Sequence, residues 1–483
     1  MSTIATPKPG RRDMRGLFMA VATGTAWGYV AILAILFFQH RWILAAGGIP
    51  MPSDFLAYRA AGIAALHGNA ASVYDIHSFH RLQTLLSKPF PNYFYWNYPP
   101  LFFFVTAPLA TLPYVPAFLI WVGATAAAFA MITRRIAGRP EALAVALASP
   151  VLFLTAYIGQ NGFLSAAVIG AFLLCLRTRP VTAGVLLVLM TYKPQFGILF
   201  PLALIAGGYW RVTGMAVIAA IVAALASVFA FGLDSYILFF RSLSLVSSSY
   251  LTLGGEGWAK IESLYSAARY LGAGDHAAWI AQAMATAVCA AFVVWLWRSK
   301  NPYELKAAGL VAATMLSIPY LHQYDFPMLL VAYAFLYRQC AFDRVEWLAF
   351  GAVNLLMAGF VAEIAPLGVV AAVITGALVL RRSMFAADRE EPGHRSDVSQ
   401  MAGSERVIPG WPNRVSINAK HHQVGIVVDL LIGSQERGDR RQELVPGIEP
   451  VMRPMDDDIF HMPLAKLLAL ARKIVEGKPV DQR

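Results

Sequence analysis

Asp54, in Ser53-Asp54-Phe55, is a carboxylate in a polar loop directly after the first long apolar run of a very hydrophobic chain. Polar residues close to a membrane are functional candidates by default, and a carboxylate at the mouth of a membrane bundle suits chemistry on a substrate that resides in the bilayer. The competing role is structural, since Ser and Asp before an apolar run are ordinary helix N-caps. Lys193, in Tyr192-Lys193-Pro194-Gln195, stands at a proline break between two apolar runs. Such a break exposes backbone N–H groups and favours an anion such as phosphate; the alternative is a lysine that snorkels to the interface. His322 adjoins Gln323, Tyr324 and Asp325 in a dense polar stretch between apolar runs. That density argues for a lined cavity more than for a lipid-facing surface, although a lone His at a span end also serves as an interfacial hydrogen-bonding group. Gln160 and Asn161, flanked by Gly159 and Gly162, offer amide donors and acceptors suited to sugar hydroxyls, or form a plain turn. Trp258, behind Gly254, Gly255, Glu256 and Gly257, is an aromatic platform for a sugar or an anchor at the headgroup level. Asp75 joins Asp54 as a second carboxylate or caps a helix over 76–87. One outward His and scattered carboxylates do not make a hard-cation site, so no metal is expected.

These residues need elements to carry them, and the composition says which. The chain is 58% hydrophobic and 14% charged, with a mean hydropathy of +0.56, against about 25% charged residues in soluble domains. An all-α integral membrane protein follows. Apolar runs at 16–38, 114–133, 141–157, 162–176, 180–192, 194–208, 212–232, 276–297, 304–318, 322–337, 345–361 and 364–380 give about twelve spans, within a range of 10–13. Several are shorter than the ~20 residues of a perpendicular span, so some helices share boundaries or are broken. Lys8, Arg11, Arg12 and Arg15 precede the first run, which reads as an uncleaved span. The clusters Arg134-Arg135, Arg177 and Arg179, Arg211, Arg298-Lys300-Lys306, Arg338 with Arg344, and Arg381-Arg382 recur at every second turn. With the N-terminus inside, all six fall on the cytoplasmic side, provided that Tyr98 to Pro113 is re-entrant or interfacial. The net charge of +11 is thereby distributed over loop ends, which leaves a nucleic-acid partner without support.

On that topology the unusual polar motifs share the extracytoplasmic face, and Lys193 is the one Lys or Arg in its short turns. Asp54 to Gly62 reads as a short amphipathic helix on the membrane surface, while 39–97 and 233–275 are the extended outer loops. Cys175, Cys289 and Cys340 are dispersed and form neither a disulfide framework nor a metal spacing. Residues 383–483 differ in composition and read as a cytoplasmic tail. They hold a charged linker at 388–395, a β-like patch at 424–432 and a basic amphipathic helix near 460–475, or else a disordered partner motif.

With these motifs placed, residues 15–382 resemble glycosyltransferase family 87, among the C-type, multi-span enzymes that use polyprenyl-phosphate sugars. The likeness is carried by Ser53-Asp54-Phe55 with Tyr58 and Gly62, Tyr74-Asp75, Tyr98-Pro99-Pro100-Leu101, Gly159-Gln160-Asn161-Gly162, Lys193-Pro194-Gln195 and His322-Gln323-Tyr324-Asp325. No one motif is specific; their order and spacing together are. The resemblance implies a multi-pass enzyme of the cell inner membrane, with both termini cytoplasmic and its site outside. It implies inverting transfer of a hexose, typically mannose, from a polyprenyl-phosphate donor to a hydroxyl of a lipid or glycan acceptor, without a metal. Asp54 becomes the general base. Lys193 and His322, helped by Arg59, stabilise the leaving phosphate. Gln160, Asn161, Gln195 and Gln323 orient sugar hydroxyls, with Tyr98, Tyr324 and Trp258 beside sugar or acceptor. A groove at Tyr98-Pro99-Pro100 takes the prenyl chain. A retaining route would need a second carboxylate, Asp75 or Asp325.

Two other classes share the hydrophobicity. A secondary transporter would place charges near the bilayer midplane and show an internal repeat between its halves; here the polar motifs gather on one face and no repeat is evident. A lipid-binding scaffold would not need Asp, Lys and His on one face.

Overall fold

The structure, a computed structural model, describes residues 11–388 apart from 89, 91–93 and 256. Lys8, Glu256, the patch at 424–432 and the helix at 460–475 lie outside the described residues, as does the linker beyond Asp388. The described chain is helical throughout, with three isolated β-bridges. In order, α1 spans Arg11–Phe38, α2 Asp54–Leu66, α3 Ile76–Leu86, α4 Phe103–Ala110, α5 Tyr114–Ala137 and α6 Pro140–Leu147. Then come α7 Pro150–Ile158, α8 Gly162–Cys175, α9 Pro180–Leu189, α10 Phe200–Ala206, α11 Trp210–Phe231 and α12 Leu233–Ser247. The last six are α13 Leu264–Tyr270, α14 Asp275–Arg298, α15 Tyr303–Ser317, α16 Pro327–Gln339, α17 Arg344–Ala358 and α18 Gly368–Asp388.

Each of the twelve apolar runs carries a helix. Among the described residues five helices are long and apolar enough to cross a membrane, six if α6 and α7 form one span bent by 54°. The bend has a local cause: Ser149-Pro150 follows α6, and a proline cannot donate to the preceding turn. Proline also starts α9 and α16, a position where its missing N–H costs nothing. The run read as 322–337 begins instead with a tight turn, Gln323–Asp325, and α16 starts only at Pro327. The outer segment 233–275 is largely helical, because α12 and α13 occupy it.

α15 and α16 form the centre. Every residue of α16 from Pro327 to Leu336 is buried, and so are Leu305 and Ala307 to Met315 of α15. Around them stand α5, α8, α14 and α18 with Phe129, Phe163, Phe172, Leu296 and Val379 turned inward. By contrast α11 exposes Ile218, Ile221, Val222, Leu225 and Phe229. An exposed face this apolar is suited to lipid rather than water.

One expectation is corrected here. The Asp54 helix is not amphipathic: Phe55, Leu56, Ala57, Tyr58, Ala60, Ala61, Gly62 and Ala64 are all buried. Small residues let α4 approach closely; a Cβ on Gly62 would fall 2.2 Å from the Thr106 carbonyl oxygen. α2 is therefore a packed element that fixes Asp54, not a helix floating at the interface.

Candidate active site

Ser53 is the N-cap of α2 but makes no side-chain cap bond, its Oγ lying 3.4 Å from the Tyr114 hydroxyl. Asp54 occupies the first helical position, so the capping position belongs to Ser53 and not to Asp54. Tyr58, four residues on, shares its face. The Tyr58 hydroxyl donates a short hydrogen bond to Gln160 Oε1 and lies 3.1 Å from the Tyr98 hydroxyl. Tyr98 accepts from Asn161 Nδ2 at 2.8 Å. With Gln160 Oε1 occupied by these donors, its amide is turned to Asp54 and favours the ionised carboxyl. The Gly159-Gln160-Asn161-Gly162 turn is thus both turn and site. Gly159 takes the left-handed conformation (φ 75°) that ends α7, and its carbonyl accepts from Trp121 Nε1 at 2.9 Å. Gly162 lies against the Tyr324 carbonyl so closely that a Cβ would fall 1.7 Å from it. Two buried acceptors in this region, Asn161 Oδ1 and Asn97 Oδ1, have no hydrogen-bond partner among the described residues. Leaving such atoms unpaired costs about 1–3 kcal/mol each, a debt that donor hydroxyls of a ligand would cancel.

Lys193 lies in the break expected at Pro194, between short 3₁₀ turns that separate α9 from α10. It is buried, and Nζ contacts Asp325 Oδ1 at 2.6 Å. Its ammonium also stands 4.8 Å from the centre of the Tyr324 ring. Asp325 further accepts the His322 backbone N–H at 3.2 Å, so it anchors the turn as well as the lysine. His322 stacks on Tyr324, with ring centres 5.0 Å apart. Burial, reinforced by Lys193 and Lys260, pushes its imidazole down to about 3. It is therefore neutral, and its contribution to an anion is a hydrogen bond and not a charge.

Burial pushes the Asp54 carboxyl up to about 6, against the opposing pull of Gln160, Lys193 and Lys260. A base that must be ionised loses activity as pH falls through that value. For an activity that uses this carboxyl as its base, an acid limb near pH 6 is expected, not one near the 3.8 of an ordinary aspartate. A rate that stays level from pH 7 down to 4.5 would remove Asp54 as the base.

Other expected residues are not brought to this cluster. The Arg59 guanidinium caps the end of α4, donating to the carbonyls of Leu109, Ala110 and Leu112. Trp258 is held within its own loop, donating to Leu251 O at 2.9 Å with the Arg269 guanidinium 4.4 Å from its ring centre. Gln195 is half-buried, with no hydrogen bond described to the cluster. Gln323 is buried beside Glu262. Asp75 is the N-cap of α3, accepting the Ser78 N–H at 2.8 Å. Among the described residues no group of three or more His, Cys, Asp or Glu could hold a metal ion.

Lys260 and Glu262 of the outer segment read from sequence as members of an amphipathic run and not as site residues. Lys260 bears on both Asp54 and His322, and pairs with Glu363 at 3.2 Å. Next to it, Ile261 forms an antiparallel bridge with His322, which stitches this segment to the site turn. Glu262 is 1% exposed and accepts the Gly368 N–H at 2.7 Å. Their sequence signal was only a run of mixed charge. Burial lifts the Glu262 carboxyl from 4.5 to about 8. Below the lower value it is protonated folded and unfolded; between the two only the folded chain keeps the proton, so stability declines with rising pH and levels off above about 8. Glu262→Gln has no proton to lose. It is expected to match the wild type at pH 4 and to exceed it at pH 8.5, by ~1.4 kcal/mol for each pH unit crossed between the two values. Equal denaturation midpoints at pH 8.5 would contradict this.

A bundle of apolar helices with a polar cluster of Asp, Lys, neutral His, Tyr and amides at one end defines a membrane protein built to handle a polar group at its surface. Residues 96–319 match the family model of glycosyltransferase family 87, the family that the motifs resemble. Searches of curated proteins and of solved structures returned no match. The match covers just under half of the chain, and with the apolar helices it makes the chain similar to membrane glycosyltransferases of this family. It includes Tyr98, Gln160, Asn161, Lys193 and Lys260, whereas Asp54 and His322 lie outside it. Those two are joined to the matched part by the fold, through Gln160, Lys193 and Ile261.

Proposed function

We propose that the chain transfers a hexose, mannose in the first instance, from a polyprenyl-phosphate donor to a hydroxyl of a lipid or glycan acceptor. The observation that carries this reading is the convergence of Asp54, the Gln160 amide and Lys193 at one end of the bundle. In the proposed step the acceptor hydroxyl gives its proton to Asp54 and its oxygen attacks the anomeric carbon. The carbon–oxygen bond to phosphate breaks on the opposite face, and the polyprenyl phosphate leaves with the electron pair. Configuration is inverted. One Lys193 N–H is engaged by Asp325, which opposes the burial that favours the neutral amine; the other two are available to the phosphate, with Lys260 as a second cation nearby. Asn161 and Asn97 would take sugar hydroxyls, and the aromatic wall of Trp96, Tyr98 and Phe102 would border the first prenyl units.

The proposal places the enzyme in the cell inner membrane, with about twelve helices through or into the bilayer. The cluster faces outward, both termini and the tail from 383 face the cytoplasm, and no metal is required. A Cys replacing exposed Asn69 is expected to react with an impermeant thiol reagent from outside, and one replacing Arg134 is not; the reverse labelling would invert the topology. The deciding experiment supplies purified protein in liposomes with labelled polyprenyl-phosphate-mannose, other polyprenyl-phosphate hexoses and a membrane-lipid acceptor extract. Transfer of label supports the reading, and its pattern names the sugar. No transfer from any of these donors would overturn it.

A further inference from the structure

α5 leaves the site at Tyr114 and reaches Thr133 nineteen residues later, roughly 30 Å away at 1.5 Å per residue, the thickness of a bilayer's hydrocarbon core. At that far end a cavity of about 410 Å³ opens between α5, α6, α16 and α17. This lies within the roughly 300–1,000 Å³ typical of small-molecule sites. Its wall is apolar, with Val145, Ala146, Leu330, Ala334 and Phe350 prominent. Within it Thr133 is 1% exposed, and its hydroxyl has no hydrogen-bond partner among the described residues. A helical threonine ordinarily bonds back to the preceding turn, so the unpaired hydroxyl leaves a donor at that depth without an acceptor.

The rim supplies the rest of the pattern. Tyr337 lines the cavity, and the exposed Arg139 guanidinium lies 5.3 Å from its ring centre. Arg134 and Arg135 directly follow Thr133 and are exposed. Glu141 is the one carboxylate on the lining. Apolar depth, a hydroxyl at the level just below the surface and an arginine-rich rim succeed one another along the membrane normal in the order of chain, ester and phosphate.

We infer that this cavity is a binding site for an anionic glycerophospholipid of the leaflet at that end. One acyl chain enters among Val145, Ala146, Leu330 and Ala334, an ester carbonyl accepts the Thr133 hydroxyl, and the phosphate lies by Arg139. The site is separate from the sugar-transfer cluster and stands whether or not that reading does. It gives the enzyme a built-in dependence on the charge of its surrounding membrane.

Native mass spectrometry of the full chain in detergent, titrated with phosphatidylglycerol or with phosphatidylcholine, tests this. One phosphatidylglycerol is expected to be retained at least ten-fold more strongly than phosphatidylcholine. Val145→Trp, which fills the cavity, is expected to abolish that tight adduct, and Arg139→Gln to remove most of the headgroup preference. Thr133→Val keeps the volume, and so the fold, while removing the hydroxyl; a two- to ten-fold weaker adduct is expected. Equal retention of the two lipids by the wild type, or an adduct indifferent to Thr133→Val and Val145→Trp, would overturn the proposal. So would failure of either lipid to bind the full chain, which would leave the cavity to the chain's own segment beyond Asp388 or to another protein.

Discussion

Asp54→Asn is expected to lower sugar transfer by about two to four orders of magnitude, the usual contribution of a positioned general base. Asparagine keeps the size of the side chain and its contact with the Gln160 amide, so the donor is expected to bind with little change. The sign of the stability effect is independent of the catalytic one. Because burial raises the Asp54 carboxyl to about 6, holding it ionised at pH 7.5 costs the folded chain stability. A neutral amide carries no such cost, and the variant is expected to denature no earlier than the wild type. Loss of transfer in a chain of undiminished stability assigns the loss to chemistry. Full transfer by Asp54→Asn would remove this carboxylate from the reaction while leaving the enzyme class intact.

Lys193→Met is expected to lose both stability and activity, and a second substitution separates the two. With the lysine gone, Asp325 is 2% exposed and has no counter-ion, a situation that costs about 3–5 kcal/mol. Lys193→Met combined with Asp325→Asn removes both charges. Neutral replacements of a buried pair are often tolerated, so most of the stability is expected to return, and the substituted amide retains an acceptor for the His322 N–H. Transfer is expected to remain depressed by roughly 10²–10³-fold, the scale of a lost electrostatic contact to the departing anion. Recovery of transfer in the double variant would reduce Lys193 to a structural partner of Asp325.

How far the sequence reaches can be judged residue by residue. The apolar runs located the helices because a membrane protein writes its spans as composition. The Asp54, Gln160-Asn161, Lys193 and His322 motifs were legible because each is a polar interruption at a helix end, where polarity needs a reason. Arg59 was drawn into the site by nearness in sequence. One residue along a helix is a rotation of about 100°, so Tyr58 faces the cluster while Arg59 faces the end of α4. The amphipathic reading of α2 failed for a related reason: its alanines and Gly62 serve close packing against α4, which no hydropathy pattern in α2 alone reveals. Lys260 and Glu262 were hidden because a long outer segment reads as solvated charge until its fold presses it onto the turn at His322. The neutral state of His322 comes first from its burial, reinforced by two lysines from distant segments, and that is a property of assembly.

The Lys193–Asp325 pair also sets a schedule. Its partners are 132 residues apart in the chain, which at ~5–20 residues per second is about 7–26 s of synthesis. Throughout that interval the lysine has been made and its aspartate has not. Lys193 must wait at the water boundary, and its place in a break between half-helices allows this, since a lysine midway along a span would have no such refuge. Only when α16 is delivered does the ammonium find its carboxylate and become enclosed. Completion of the cation site is thus a late event of synthesis, since of the described helices only α16, α17 and α18 lie beyond residue 325, and a chain stalled before residue 325 carries an unmatched charge.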